Sequence, residues 1–375
     1  MNVGDVVKLL DAAYSPALAE SWDKIGLICG DPQAEVRHIA VALDCTLEVA
    51  QRAVEIGADM LVVHHPLLLK GVTSVASNTP KGKVIHTLIR GDVALFAAHT
   101  NADSARPGVN DKLAQLVGIT PGRPIVPQLT ALDKWGFQVP PEHAESVKQA
   151  LFAIGAGAIG KYRECSFELT GTGQFRPLID ADPYLGTPEQ LTRLEELRVE
   201  FVAPRHLRNP LMGALREAHP YEEPGFDITS LEPTEDLEHA CGLGRIGKLP
   251  QPMRFADFVQ QVANALPETV WGVRAAGDPD ALVETIAVSS GSGDSFLNRV
   301  QALGVDVYVT SDLRHHPVDE HLRANGPFII DTAHWASEFP WTEQVCEIMK
   351  NGLPGVNVEV LKIRTDPWTI SAHPE

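Results

Sequence analysis

Two adjacent imidazoles, His64 and His65, close the apolar run Met60-Leu61-Val62-Val63 and are followed at once by Pro66. The run is consistent with a buried strand, and the proline prevents it from pairing further. Successive strand side chains point to opposite faces, so both rings can serve one metal site only where the chain turns. Pro66 biases its predecessor toward such a corner. The event then recurs. VALFAAHTNAD (93–103) brings His99 and Asp103 to a strand end, and VDVYVTSD (305–312) ends in Asp312, followed by His315, His316 and Pro317. PFIIDTAH (327–334) carries Asp331 and His334, with Glu338 four residues further on. One such end is an ordinary turn or cap; the repeated pattern is read as a site. Three or more imidazoles with two or more carboxylates suit zinc, manganese, iron or cobalt. His334 and Glu338 have the spacing that puts two ligands on one helix face. Two cations sharing a carboxylate would polarise a bound water, the usual engine of hydrolysis.

Such residues need strands that end together. A helix is expected over 6–19, then a strand at HIAVALD (38–44), a helix at 46–58, the strand ending at His64, a helix at 83–92 and the strand from 93. Strands alternating with helices at this spacing imply βαβ units in a parallel or mixed α/β sheet. Carboxyl ends in one sheet converge on one edge, where open α/β sheets place their sites. From about 130 the order becomes KWGFQVP strand, helix 142–154, ECSFELTG strand, LRVEFVAP strand, helix 207–219 and GFDITSLE strand. That is the ferredoxin-like split β-α-β arrangement, expected as an α+β domain over 130–233 inserted between core halves 1–129 and 234–375. The α/β grammar resumes with a helix at 254–266, strands at 282, 305, 327 and 356, and a helix beginning around Glu338. The two His-His-Pro segments each follow a helix and strand introduced by Gly-(Ala/Val)-Asp, a loose echo expected of internal duplication.

The 375 residues, 44% hydrophobic and 21% charged, are those of a globular chain with room for two or three domains. A formal net charge of -18 without a basic patch argues against general nucleic-acid binding or an anionic membrane surface. Cys29, Cys45, Cys165, Cys241 and Cys346 form no Cys-x-x-Cys pair, and read as reduced, mostly buried thiols. The acidic opening segment lacks a basic start with an apolar core, and no run approaches a membrane span, so a cytoplasmic location is expected.

Residues 155–160, GAGAIG, match G-x-G-x-x-G but follow a helix and precede a strand, the reverse of the dinucleotide context. Gly291-Ser292-Gly293-Asp294 lies between a strand and a helix, where backbone N–H groups could hold an anion or simply turn. His219-Pro220-Tyr221-Glu222-Glu223 has metal-binding composition, although a helix end and loop is the plainer reading. Cys165 is expected in a core rather than as a nucleophile.

WDKIGL (22–27), VVHHPL (62–67), HTNAD (99–103), the 310–316 segment and AHWASE (333–338) together resemble the GTP cyclohydrolase 1 type 2 homologue, or Nif-three-like, family. GAGAIGKYRECSF (155–167), GTGQFRP (171–177) and HPYEEPGFDI (219–228) resemble the extra domain of its longer bacterial members. The resemblance covers nearly the whole chain. It implies a Nif-three-like core formed by both chain ends and a PII/CutA-like insert. It also implies a two-metal centre with His64, His65, Asp103, His334 and Glu338 as ligands, and a toroidal homohexamer, a trimer of dimers. Lys24 stands where the family usually has Asn, and Pro317 where an acidic residue is common. His99 and His316 are expected to face substrate or to orient a carboxylate, as catalytic groups. Two functions follow. One is a metal-dependent hydrolase acting on a small nucleotide-like or phosphorylated molecule through metal-activated water. The other is a non-enzymatic metal-binding regulator or scaffold whose insert senses a ligand. Five ligands are too few to close two cations, which favours the hydrolase.

Overall fold

The computed structural model describes residues 1–129, 131–233 and 236–372. Its first segment holds α1 (Val3–Ala13), β1 (Gly26–Cys29), β2 (His38–Ala42), α2 (Leu47–Glu55), β3 (Met60–Val63), α3 (Pro80–Arg90), β4 (Ala94–Ala97), α4 (Thr100–Ser104) and α5 (Val109–Leu116). Next come β5 (Leu132–Val139), α6 (Ala144–Phe152), β6 (Phe167–Phe175), β7 (Thr192–Pro204), α7 (Arg208–Ala218) and β8 (Phe226–Ser230). The last segment holds β9 (Arg245–Arg254), α8 (Phe255–Ala265), β10 (Val273–Ala276), β11 (Leu282–Ser292), α9 (Leu297–Leu303), β12 (Val307–Ser311) and α10 (His315–Arg323). It continues with β13 (Phe328–Thr332), α11 (His334–Glu338), α12 (Trp341–Gly352) and β14 (Asn357–Val360). Two compact units result, 1–128 with 236–375, and 129–235. The sequence places boundaries at 129/130 and 233/234; Thr130 and Thr234 themselves lie outside the described residues.

The larger unit contains two five-stranded mixed sheets, ordered β1-β4-β3-β2-β14 and β9-β11-β12-β13-β10. In each, parallel strands form the centre and an antiparallel strand closes an edge. The single convergent sheet expected from sequence is therefore corrected to two. β9, β10 and β1 escape the sequence pattern for physical reasons. β9 contains two prolines and a register break between Lys248 and Met253, which only an edge strand tolerates. β1 and β10 are four-residue edges whose side chains are half-buried or exposed.

Strand burial explains why the central runs lack polar residues. Ile39, Val41, Met60, Val62 and Phe96 face one hydrophobic cluster with α1 and α12. Ala40, Ala42, Leu61, Val63, Leu95 and Ala97 face the opposite one with α2 and α3. A sheet covered on both faces has no solvent side to mark with polar residues. Truncating one of these side chains, such as Leu61→Ala, should cost about 2–5 kcal/mol.

Local chemistry sets helix ends. α1 begins at Val3 rather than 6, because the Asn2 side chain accepts from the Asp5 N–H and Asp5 reciprocates. It stops before Pro16, where a short 3-10 turn takes over the rest of the expected helix. The expected helix around Glu338 is two helices, α11 and α12, with Phe339 and Pro340 between them.

The 129–235 unit has the β-α-β-β-α-β order read from sequence, with sheet order β6-β7-β5-β8 and every neighbour antiparallel. Trp135, Phe137, Val147, Leu151, Val199, Phe201, Leu211 and Leu215 fill its core.

Candidate metal centre

β3 ends at Val63, and the His64 and His65 N–H groups both donate to the Leu43 carbonyl at 3.1 and 3.0 Å. That shared acceptor makes the corner that turns both rings toward one side. His99 ends the neighbouring β4 segment as the cap of α4, whose first turn carries Asp103. Asp103 is thus on a helical turn, not at the strand end expected from sequence. From the second sheet, β13 leads into α11, which presents His334 and Glu338 four residues apart.

Each histidine has one ring nitrogen committed outward. Nδ1 of His64 donates to the Ala98 carbonyl at 2.8 Å, and Nδ1 of His65 to Asp44 at 2.7 Å. Nδ1 of His99 donates to Asp23 at 2.9 Å, and Nδ1 of His334 to Asp312 at 2.6 Å. In the neutral ring this leaves the Nε2 lone pair free, the tautomer that metal-binding histidines use with a carbonyl or carboxylate behind them.

The free nitrogens meet Glu338, which is 3% exposed. Its Oε2 lies 2.9 Å from His65 Nε2 and 3.1 Å from His334 Nε2. Its Oε1 lies 3.7 Å from His64 Nε2, which is also 3.7 Å from Asp103 Oδ1. Glu338 Oε2 and His64 Nε2 are nevertheless buried without a hydrogen-bond partner. Atoms this close and this deeply buried face a common point, which either protons or a cation would fill. Two residue groups with ligand atoms within 4.8 Å of one another share Glu338: His65-His334-Glu338 and His64-Asp103-Glu338. A third is His64-His65-His99. All five expected ligands are brought together, with His99 beside them.

Without a cation the site is balanced by protons. Burial pulls the His65 imidazole down, but the Glu338 charge and the Asp44 bond outweigh it and lift it to about 10. The Glu338 charge lifts His334 to about 11 against its burial. Burial would raise Glu338, yet the three imidazoles hold it well below the usual carboxylate range. Burial raises Asp103. Burial also acts to raise Asp23, but bonds from His99 and Thr100 overcome it and hold that carboxyl down. Positive charge, from protons or metal, is what this cluster of donors requires.

Supporting contacts come from both sheets. Ser290 Oγ donates to Asp103 at 3.2 Å, while Asn110 accepts from the Ser290 N–H at 2.8 Å and donates to the Asp103 carbonyl at 2.9 Å. Gly291 has φ +61°, and a Cβ there would sit 2.4 Å from Glu338 Oε1. The backbone at 291 can approach the carboxylate only as glycine. The Gly/Ser segment therefore lines the centre; the helix after it has seven residues, and the segment's contacts are those of a close-packed wall. A cavity of about 660 Å³ opens over Asp103, His65 and Glu338, bordered by Trp22, His99 and Ser290, a size suited to a small ligand.

Other expected residues lie elsewhere. His316 is exposed in the first turn of α10 beside His315, and neither borders this cavity. Asp312 turns the chain at φ +60° after β12, separating the strand from the His-His-Pro triplet, so the echo of residues 64–66 does not reproduce their geometry. Asp331 pairs with Arg274 at 2.6 Å. Lys24 is exposed, and only its backbone N–H is used, donating to Asp23 at 2.7 Å. Asp44 was missed, although it ends the HIAVALD run in the position that drew attention to the other strand ends. Asp23 sits in a loop, Asn110 in the first turn of α5 and Ser290 near the end of β11, none of them marked by the periodicity of its segment.

No helix among the described residues is long and apolar enough to cross a membrane. Residues 1–367 match the family model described as Duf34/NIF3 (NGG1p interacting factor 3). A Mycobacterium tuberculosis protein named GTP cyclohydrolase 1 type 2 homolog is 50% identical over 373 residues, 99% of this chain and 97% of that one. The solved structure of a Bacillus cereus protein related to NIF3 is 34% identical, with a TM-score of 0.73 and 99% of each chain covered. A Staphylococcus aureus structure gives 0.76 at 30% identity, again over 99% of each chain. With the same residues gathered at one place and the likeness running end to end, the chain belongs to the DUF34/NIF3 family.

Proposed function

We propose that this protein is a metal-dependent hydrolase of a small nucleotide-like or phosphorylated molecule. Two divalent ions, of zinc, manganese, iron or cobalt, would be held by His64, Asp103 and Glu338 on one side and by His65, His334 and Glu338 on the other. The observation that carries the reading is Glu338, whose two oxygens turn to different donor groups, the arrangement of a bridging carboxylate. Three protein donors per ion leave positions for water and substrate. Bound ions would supply Lewis-acid polarisation and a lowered pKa for water at neutral pH.

The chain's own residues do the rest. His99 is positioned by Asp23 through Nδ1, which leaves Nε2 on the side of His64 and His65 to accept or return a proton. Asp23 is itself fixed by the Thr100 backbone N–H at 3.0 Å and hydroxyl at 2.5 Å, so the ring has little freedom. Trp22 packs edge-on to His99 and shields one side of the cavity. No corresponding role is proposed for His316.

The relatives' name makes GTP the first substrate to test. We also read the 129–235 unit as ferredoxin-like and PII/CutA-like, and the assembly as a homohexamer. The exposure of Phe167, Leu169, Ile159 and Tyr162 on that unit supports contacts with further copies. The five unpaired cysteines suit a reducing cytoplasm. The test is hydrolysis of a panel of nucleotides and phosphoesters by protein loaded in turn with each metal, comparing wild type with Glu338→Gln. Turnover lost in the variant supports the reading. A fully loaded wild type inert on every member sinks it and leaves the non-enzymatic metal-binding regulator.

A further inference from the structure

The cavity over the metal centre is lined by two kinds of residue. Besides Asp103, His65 and Glu338 it is bordered by Trp22, Glu20, Leu69 and Phe296. Glu338 Oε2 is buried without a hydrogen-bond partner, so the cavity leads to an atom that an incoming group must satisfy.

Trp22 is 56% exposed. A single exposed apolar side chain is ordinary, but this one is fixed in place. The Asp23 N–H donates to the Glu20 carbonyl at 2.9 Å, closing a tight turn with Trp22 at its corner. The Asp23 carboxylate anchors that turn, accepting from the Thr100 N–H at 3.0 Å and His99 Nδ1 at 2.9 Å. The indole meets the His99 ring at 5.9 Å and 79° and, among the described residues, no other aromatic ring. One perpendicular contact and this exposure leave an indole face open. His99 in turn lies 5.2 Å from the His64 ring and 5.6 Å from the His65 ring. The open face therefore stands one ring beyond the metal donors.

Glu20 is half-buried at the other end of the same turn. Its backbone N–H donates to the Thr100 hydroxyl at 2.9 Å, while its carboxylate has no hydrogen bond or ion pair among the described residues. A carboxylate has two acceptor oxygens and is best satisfied by two adjacent donors. Of the common nucleobases only guanine presents two adjacent N–H groups on one edge. In adenine and cytosine a ring nitrogen beside the amino group would turn its lone pair on the carboxylate, and in uracil two carbonyls flank the single N–H.

We propose, resting on the metal-dependent reading of this cavity, that Trp22 and Glu20 are its specificity-determining residues and hold the base of a guanine nucleotide. The ring stacks on the open indole face, its N1–H and N2–H groups donate to Glu20, and the phosphoryl end turns to the ions. The base is thereby kept away from the metal donors. The test is titration calorimetry into the zinc-loaded, full-length protein. The probes are the 5′-methylenephosphonate analogues of guanosine and inosine monophosphate, whose P–C bond hydrolysis does not cleave, and the matching analogue of ribose 5-phosphate. Guanosine is expected to bind about tenfold more tightly than inosine, which lacks the N2 amino group. Trp22→Ala should weaken both by about tenfold and leave the base-free analogue unchanged, with Trp22→Phe recovering most of the loss. Glu20→Gln should remove the preference for guanosine. Bound zinc and Tm should hold in all three variants, since neither side chain is buried.

Four results overturn the proposal: no saturable binding of the guanosine analogue, equal binding of guanosine and inosine, equal weakening of the base-free analogue by Trp22→Ala, or a change in oligomeric state as the sole effect of that variant. The last would mean that a second copy of the chain covers the indole. If the nucleotide and phosphoester panel shows no turnover while this binding pattern is present, the hydrolase is lost and the base site stands; turnover without the pattern is the reverse.

Discussion

Metal uptake by this protein should release protons, and their number follows from the geometry at Glu338. In the metal-free protein His65 is held near 10 and His334 near 11, chiefly by the buried Glu338 charge acting against desolvation. Both rings are therefore protonated from neutral pH to about pH 9, and a cation bound at their Nε2 atoms must displace both protons. The apparent affinity of that site should rise by about a hundredfold per pH unit in this window, two protons each contributing about tenfold. Stability moves the other way in metal-free protein. Its imidazoles have folded pKa values above the unfolded value of about 6.5, so their contribution is fully present below pH 6.5. It is lost as pH rises through 10 and 11, while the loaded protein has no such protons to lose. The gain in Tm on adding metal should consequently grow with pH. Calorimetric titration of zinc or manganese at pH 8, in buffers of different ionisation enthalpy, counts the protons directly. About two released at this site is the expectation. A value near zero, with affinity flat between pH 7 and 9, would refute the assignment of His65 and His334 as donors held protonated by Glu338.

Three further outcomes are expected. Gly291→Ala drives a methyl group to 2.4 Å from Glu338 Oε1 at a positive-φ position, so metal content measured by mass spectrometry should fall, and stability by about 1–3 kcal/mol. Asp111→Ala strips the carboxylate from the fully buried Arg245, which it binds at 2.7 and 2.9 Å; denaturant melts should show a loss of about 3–5 kcal/mol, and a smaller one when Arg245 is replaced by Met in the same protein. Asp23→Asn frees the His99 ring without touching the five metal donors, so metal content should hold while any hydrolytic kcat falls by about a hundredfold or more; His316→Ala should change neither.

The strand-end candidates were legible in the sequence because apolar runs of βαβ spacing stop on residues that a buried strand does not tolerate, and the family resemblance narrowed them to five. His64, His65 and His334 stand out by that contrast, and the i, i+4 spacing of His334 and Glu338 holds because α11 starts at His334 itself. The 129–235 unit was legible for a similar reason, since a change in the order of strands and helices needs no tertiary information. The same logic misled at His316. Its His-His-Pro context copies that of His64 and His65, but Asp312 adopts a left-handed turn and Leu313 is buried before α10 begins. The pattern of residue types was repeated and the path of the backbone was not.

Tertiary structure alone decided how the donors meet. Sequence periodicity describes one strand at a time and says nothing about which strands become neighbours. It could not separate one sheet from two, nor show that β14 pairs with β2 while β12 and β13 build a second sheet. It was equally silent on Asp44, Asp23, Asn110 and Ser290, whose roles are set by distances to residues 21 to 180 positions away. The choice of donor atom was decided there too, because a ring exposes Nε2 only when something behind it takes the proton on Nδ1. Composition supplies the imidazoles and carboxylates, and packing determines which of their lone pairs are left facing one another.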